Sequence, residues 1–145
     1  IPNVPEKFGY QMWVDRDENI LGEEECLLIS AIDQSLEQVE AFIRSLDGIF
    51  VLAHVDKSRD SVISQLGFIP FDLKPDSLEI SARCNYSQLL QTYKYLSKYR
   101  FIRSSDAHYQ EDFLSSGCTF HIRELTFAEV AMALRGQEGR FVSLD

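Results

Sequence analysis

Three residues near the ends of predicted strands have side chains that could bind a metal ion. His54 directly follows the apolar run 49–53, and Asp106 and His108 form an Asp-x-His pair after the apolar segment that begins at Phe101. Side chains of an extended backbone alternate with a period of two, so Asp106 and His108 can point the same way. Imidazole nitrogen with carboxylate oxygen suits zinc, manganese or iron better than calcium. A bound ion of this kind could lower the pKa of a water molecule and produce hydroxide for hydrolysis.

Each of these residues also has an ordinary structural explanation, and both explanations stay open at this point. His54 could be a hydrogen-bonded histidine at a strand end, and Asp106 could form a turn or a helix cap. The joint pattern favours a site, because two of only three histidines lie at predicted strand ends. His121 lies inside an alternating strand between Phe120 and Ile122, so we exclude it from the site.

Apolar spacing and capping patterns predict alternating strands and helices that would position these residues. Predicted strands occupy 49–53, 78–80, the segment starting at 101 and 118–122, and predicted helices begin near 35, 85 and 126. Each helix start combines Ser, Asn or Thr with Gln or Glu three residues later, as in a capping box. The alternation indicates an α/β fold of parallel βα units, in a doubly wound sheet or a barrel. Loops after the carboxyl ends of parallel strands gather on one side, so His54 and Asp106 should converge there.

Composition excludes several classes of protein. The 145 residues carry a net charge of −9, which disfavours bulk binding to a nucleic-acid backbone. No apolar run approaches the roughly 20 residues that span a bilayer, so we expect no membrane partner. The amino terminus has no signal-peptide pattern. Cys26, Cys84 and Cys118 contain no CxxC pair, so we expect reduced thiols and a cytoplasmic location.

The residue pattern changes near position 34. Residues 1–33 mix aromatic and acidic residues, and the segment 15–19 separates two short apolar stretches as a turn between strands would. We interpret 1–33 as a hairpin-like excursion with a connecting segment. Residues 34–145 contain the predicted βα units.

Four stretches of the sequence occur in an order and spacing that are typical of one family. They are LAHVD at 52–56, ISQLGFIP at 63–70, LEIS at 78–81 and SSDAHY at 104–109. A further match, GEEE at 22–25 followed by LLI at 27–29, lies ahead of them. Together they resemble the PHP (polymerase and histidinol phosphatase) domain, in its metal-dependent phosphoesterase branch, over nearly the whole chain.

This resemblance implies a fold and a set of site residues. The family fold is a distorted (β/α)7 TIM-like barrel that holds up to three divalent metals, zinc, manganese or iron, and hydrolyses phosphoesters. By position, His54 corresponds to a lone histidine motif of the family, and Asp106 and His108 to its closing Asp-x-His motif, so all three would be metal ligands. Lys57 lies where this branch commonly has a basic residue near the cleft, and it could contact the substrate phosphate.

The chain also departs from the family pattern. The opening His-x-His motif and the other early ligands have no counterpart, because the sequence contains only three histidines. We therefore expect the C-terminal part of the barrel, from a longer protein, with at most one weakly bound metal and no activity as an isolated fragment. Such a half barrel would have open sheet edges, which predicts self-association or a completing N-terminal half.

The first functional hypothesis is metal-dependent hydrolysis of phosphoesters by a metal-activated water, with this chain supplying part of the site. The substrate would be a phosphorylated small molecule or a nucleotide. Two alternatives are a non-catalytic βα module that retains the motif by descent, and an amidohydrolase-like metal hydrolase with similar ligands.

Overall fold

The computed structural model of the chain, which describes residues 1–113 and 115–144, divides into two units, Ile1–Ser35 and Leu36–Asp145. The first unit contains α1 (Pro5–Phe8) and an antiparallel pair of strands, β1 (Met12–Val14) and β2 (Ile20–Glu23). The turn between these strands is closed by Asp15, whose carboxylate accepts hydrogen bonds from the backbone N–H groups of Asp17 and Asn19 at 2.8 and 2.9 Å. A short side chain that satisfies nearby backbone donors explains why the chain reverses here.

The second unit alternates helices and strands. Its elements are α2 (Leu36–Ser45), β3 (Val51–Leu52), α3 (Val62–Leu66), β4 (Ser77–Ile80), α4 (Tyr86–Thr92), a 3-10 helix (Lys94–Lys98), β5 (Phe101–Arg103), a second 3-10 helix (Gln110–Asp112), β6 (Cys118–His121), α5 (Phe127–Arg135) and β7 (Phe141–Leu144). The longest helix in the described part has 10 residues, and about 20 are needed to cross a bilayer. None of the described helices could therefore span a membrane.

A parallel sheet in the order β3-β4-β5 forms the centre of the second unit. Its register places Leu78 of β4 between Leu52 of β3 and Phe101 of β5. All three side chains are buried, together with Ile80 and Leu96. Burial on both faces explains why apolar residues are adjacent in these strands rather than alternating, with Glu79 of β4 and Arg103 of β5 as the charged exceptions.

The prediction that the chain forms the C-terminal part of a (β/α)7 TIM-like barrel is wrong. The strands of residues 1–113 and 115–144 form three small separate sheets, two of them antiparallel, and no closed barrel. The error lies mainly at the carboxyl end, where β7 pairs antiparallel with β6. After α5, Gly136 and Gly139 adopt φ values of 64° and 77°, which glycine reaches without steric penalty. The apolar pattern that predicts a strand does not specify its direction.

Two ion-pair clusters hold α5 in place. In the first, the buried carboxylate of Asp76 contacts Arg44 of α2 at 2.7 Å and Arg135 of α5 at 2.6 Å. It also accepts the backbone N–H of Phe50 at 2.8 Å. Burial raises the pKa of Asp76, but the hydrogen bonds from Arg135, Phe50 and Arg44 outweigh it, so the pKa is lowered. The Asp76 carboxylate therefore connects α2 and α5 to Phe50, the residue immediately before β3.

In the second cluster, Glu129 of α5 pairs with Arg140, which precedes β7. Both residues are buried, and the arginine donates to both carboxylate oxygens, at 2.6 and 3.0 Å. The hydrogen bonds from Arg140 and from the backbone N–H of Arg123 outweigh burial and lower the pKa of Glu129 from 4.5 to about 2. Glu129 thus links α5 to the segment that follows β6 and to the residue that precedes β7.

Acid should therefore weaken the attachment of α5 to this sheet. Because the pKa of Glu129 is lower in the folded state, its contribution to stability is complete above about pH 4.5 and is lost as the pH falls through about 2. Thermal melting from neutral pH to acid should show this loss in the wild type but not in Glu129→Gln. Glu138→Gln is the matched control, since that carboxylate also contacts Arg140 but is 72% exposed. Equal acid sensitivity in wild type and Glu129→Gln would contradict the prediction.

Candidate functional site

The candidate site begins with a tight turn at the carboxyl end of β3. His54 has a positive φ of 29°, and its carbonyl accepts the backbone N–H of Lys57 at 3.0 Å. Val55 between them is almost fully buried, and its N–H donates to the carbonyl of Glu79 on β4 at 2.8 Å. The turn is thus anchored to the neighbouring strand, and it directs Lys57 towards the loop that follows β5.

Lys57 and Asp106 form an ion pair across the ends of β3 and β5. The ammonium nitrogen of Lys57 contacts Oδ2 of Asp106, 49 positions along the chain, and the side chains are 40% and 28% exposed. Asp106 has a φ of 50°, an unusual conformation for a residue other than glycine. The hydrogen bond between the two groups is the main reason that the pKa of Lys57 is raised and that of Asp106 is lowered. Charges of His108 and His54 lower the pKa of Asp106 further.

His108 is exposed, but its ring is oriented by its own loop. Nδ1 lies 2.7 Å from the backbone carbonyl of Asp106. Since a carbonyl only accepts, Nδ1 must carry the proton, and in the neutral ring Nε2 then has a free lone pair. The backbone N–H groups of His108 and Tyr109 donate to Asp112 at 3.2 and 3.1 Å. The loop therefore presents an oriented acceptor nitrogen.

Glu79 connects the loops after β3 and β5, and sequence reasoning assigned it no role. Its carboxylate accepts the backbone N–H of His54 at 3.2 Å and the hydroxyl of Ser104. Nδ1 of His54 is buried and has no hydrogen-bond partner within the described residues. The sequence signal that could have identified Glu79 was its charge between two apolar residues of the predicted strand 78–80.

Asp56 and Arg103 shape the loop after β4, and neither was predicted to take part in the site. Asp56 accepts the backbone N–H and the hydroxyl of Ser81 at 2.7 and 2.5 Å. Nη1 of Arg103 donates to the carbonyls of Ser81, Ala82 and Cys84 at 3.0 to 3.2 Å. These bonds hold the segment that carries Arg83.

Cys84 lies in this loop, is half-buried and should be a slow nucleophile. Burial, followed by the negative charge of Asp56, raises the pKa of its thiol from 9.0 to about 11. Because only the thiolate reacts, we expect modification about 100-fold slower than at a thiol of ordinary pKa. Timed alkylation with peptide mass spectrometry checks this, with the exposed Cys26 as internal reference. Asp56→Asn should accelerate modification of Cys84, and equal rates at Cys84 and Cys26 would contradict the account.

The polar side chains meet in an open cleft of about 580 Å³. Its charged and ionisable lining residues are Lys57, Arg83, Asp106, His108, Glu111 and Asp112. The structure thus brings three of the four predicted site residues, Lys57, Asp106 and His108, to one cleft. His54 is not part of the cleft lining, although its charge acts on Asp106.

The donor types fit a divalent metal ion, but their arrangement does not. No three His, Cys, Asp or Glu side chains among residues 1–113 and 115–144 are grouped so that they could hold one ion. The carboxylate of Asp106 is bound by Lys57, and Nδ1 of His108 is bound by a backbone carbonyl. A metal site of His54, Asp106 and His108 therefore stays a prediction, as does the choice among zinc, manganese and iron.

Comparison with known proteins gives a likeness of fold. No protein-family model and no curated protein sequence matches the chain. A solved structure that it resembles is the lesion-specific endonuclease EndoQ from Pyrococcus furiosus, with 21% sequence identity and a TM-score of 0.67. The match covers 77% of this chain and 29% of the EndoQ chain. This chain thus spans less than a third of the length of that endonuclease, and at this identity the likeness concerns the fold alone.

Proposed function

We propose that this chain forms part of the active site of a hydrolase that acts on phosphoesters. The observation that carries the proposal is the cleft after the parallel strands, where the Lys57–Asp106 pair and the oriented ring of His108 face the same space. Active sites of parallel α/β structures lie at this edge of the sheet. The resemblance to an endonuclease, an enzyme that cleaves phosphodiester bonds, and the PHP-like motifs support the same class.

The charges of the cleft favour a phosphodiester over a phosphomonoester. Lys57 and Arg83 face three carboxylates, those of Asp106, Glu111 and Asp112. A monoester dianion would meet more repulsion here than a diester monoanion. With a net charge of −9 on the chain, a small nucleotide-like diester fits better than a long nucleic acid.

The cleft residues can be given roles in such a reaction. Nε2 of His108 is the group that can accept a proton from an attacking water. The guanidinium of Arg83 offers two parallel N–H donors to phosphate oxygens, while Lys57 supplies a point charge held by Asp106. These roles use only groups that line the cleft.

No step is assigned to a metal ion, because the described donors are not arranged to hold one. Dependence on a metal-activated water stays a prediction from the PHP resemblance. The non-catalytic alternative is favoured by one observation, which is that the charge of Asp106 is already compensated by Lys57. An inert binding module would not require a free carboxylate.

Relative activity on two ester classes tests the proposal. The complete gene product that contains this sequence should hydrolyse bis(p-nitrophenyl) phosphate with a kcat/KM at least about fivefold above that for p-nitrophenyl phosphate, since one added charge changes binding by roughly 1 kcal/mol or more. A preference for the monoester would contradict the charge argument. Turnover of neither ester would favour the non-catalytic module, and turnover of an amide or lactone instead would favour the amidohydrolase-like alternative.

A further inference from the structure

We infer that the ammonium group of Lys57 serves as the cation beside the carboxylate of Asp106, between the ends of β3 and β5, and keeps divalent metals out of this site. The inference rests on the proposed function only in treating this cleft as the active site. In this view, the positive charge in the cleft is supplied by a side chain of the protein instead of by a bound metal ion.

The surroundings of the Lys57 ammonium group are those of a cation site. Its nitrogen contacts the carboxylate of Asp106, and the charges of Asp56 and Glu79 act on it as well. The ammonium group therefore contacts one carboxylate, and the negative charges of two others also favour a cation at this position. A divalent ion in the same place would have to displace the ammonium group, because two cations could not share Asp106 without strong repulsion.

The position of Lys57 is built into the backbone. Its N–H donates to the carbonyl of His54 at 3.0 Å, and its carbonyl accepts the hydroxyl of Ser61 at 2.8 Å. Ser61 is buried and caps α3, since its side chain accepts the N–H of Ser64 at 3.1 Å. Hydrogen bonds of its backbone N–H and its carbonyl thus fix the position of Lys57.

Removal of this ammonium group would make two donors of the cleft available to a cation, with water molecules completing the coordination of the ion. Asp106 would lose the partner that compensates its charge, and Nε2 of His108 is the ring nitrogen that carries no proton in the neutral ring. An imidazole and carboxylate donor set of this kind suits manganese and zinc.

Metal uptake by Lys57 variants tests the inference. Wild type, Lys57→Met and Lys57→Arg of the complete gene product are dialysed against Mn²⁺ alone or Zn²⁺ alone, and the bound metal is measured by mass spectrometry. Lys57→Met should bind the metal at least about tenfold more tightly than the wild type, since one opposing charge has been removed. Lys57→Arg, which keeps the charge, should behave as the wild type.

The gain should depend on the same carboxylate, so it should vanish in Lys57→Met/Asp106→Asn. Lys57→Gln provides a second neutral variant if Lys57→Met fails to fold by circular dichroism. Equal metal affinity in wild type and the neutral variants would overturn the inference, as would a gain that survives Asp106→Asn. This experiment measures metal binding and not hydrolysis. Its result therefore tests metal exclusion independently of the proposed activity.

Discussion

Replacing Asp76 by alanine should lower the free energy of unfolding by about 3 kcal/mol, because a buried charge cluster loses its shared acceptor. The Asp76 carboxylate is 4% exposed and bound by two arginines, each about one third exposed. Because both arginines are partly exposed to water, we expect a loss of stability at the lower end of the range for breaking a buried ion pair. The backbone N–H of Phe50 loses its acceptor too, and a buried donor without a partner is itself destabilising.

Urea unfolding followed by circular dichroism measures this effect. Asp72→Ala is the matched control, because Asp72 lies four positions earlier and is exposed, and its change should stay within about 0.5 kcal/mol. Asp76→Asn should be intermediate, since an amide oxygen can still accept from Phe50 while the charge is lost. Similar losses in Asp76→Ala and Asp72→Ala would show that the cluster does not hold α2 and α5 to the sheet.

The second large effect concerns catalysis. His108→Ala should lower kcat for diester hydrolysis by about 100-fold or more, the typical contribution of a general base. His121→Ala is the control, because His121 is exposed, stacks on Phe141 and lies in the β6–β7 hairpin. Steady-state rates on bis(p-nitrophenyl) phosphate measure both variants.

Other outcomes would redefine the role of His108. An increase in KM with unchanged kcat would make this histidine a substrate-binding residue rather than a general base. Equal activity of His108→Ala and wild type would remove it from the site. If His121→Ala lost as much activity as His108→Ala, the cleft beside Lys57 would not be where the reaction occurs.

Local signals in the sequence predicted several elements correctly. Asn85 caps α4 by accepting the N–H of Gln88 at 3.0 Å, and Thr126 caps α5 by accepting that of Glu129 at 3.3 Å. These caps depend on residues three positions apart, which a sequence pattern captures. The cap of α3 was missed, because Ser64 takes the place usually held by Glu or Gln.

The arrangement of the site could not be predicted to the same extent. Placing His54 and Asp106 after strands needed only the apolar pattern. The contact between Lys57 and Asp106 also depends on a positive φ at His54 and Asp106 and on β4 lying between β3 and β5. Both properties arise from tertiary packing, which the residue pattern does not specify. The substrate role of Lys57 and the metal role of Asp106, which the PHP resemblance implies, stay predictions. The strand β7 was not predicted, and its antiparallel pairing with β6 likewise depends on tertiary packing.

The ring of His108 offers the most direct test of the site. In the chain with ¹⁵N-labelled histidines, NMR should show the Nδ1–H tautomer for neutral His108, and its Nε2 resonance should shift when dimethyl phosphate is added. His121, whose Nε2 lies 3.0 Å from the hydroxyl of Ser143, should not respond. An Nε2–H tautomer for His108, or a His108 signal that does not respond to the diester, would contradict the account of this cleft as a phosphodiester site.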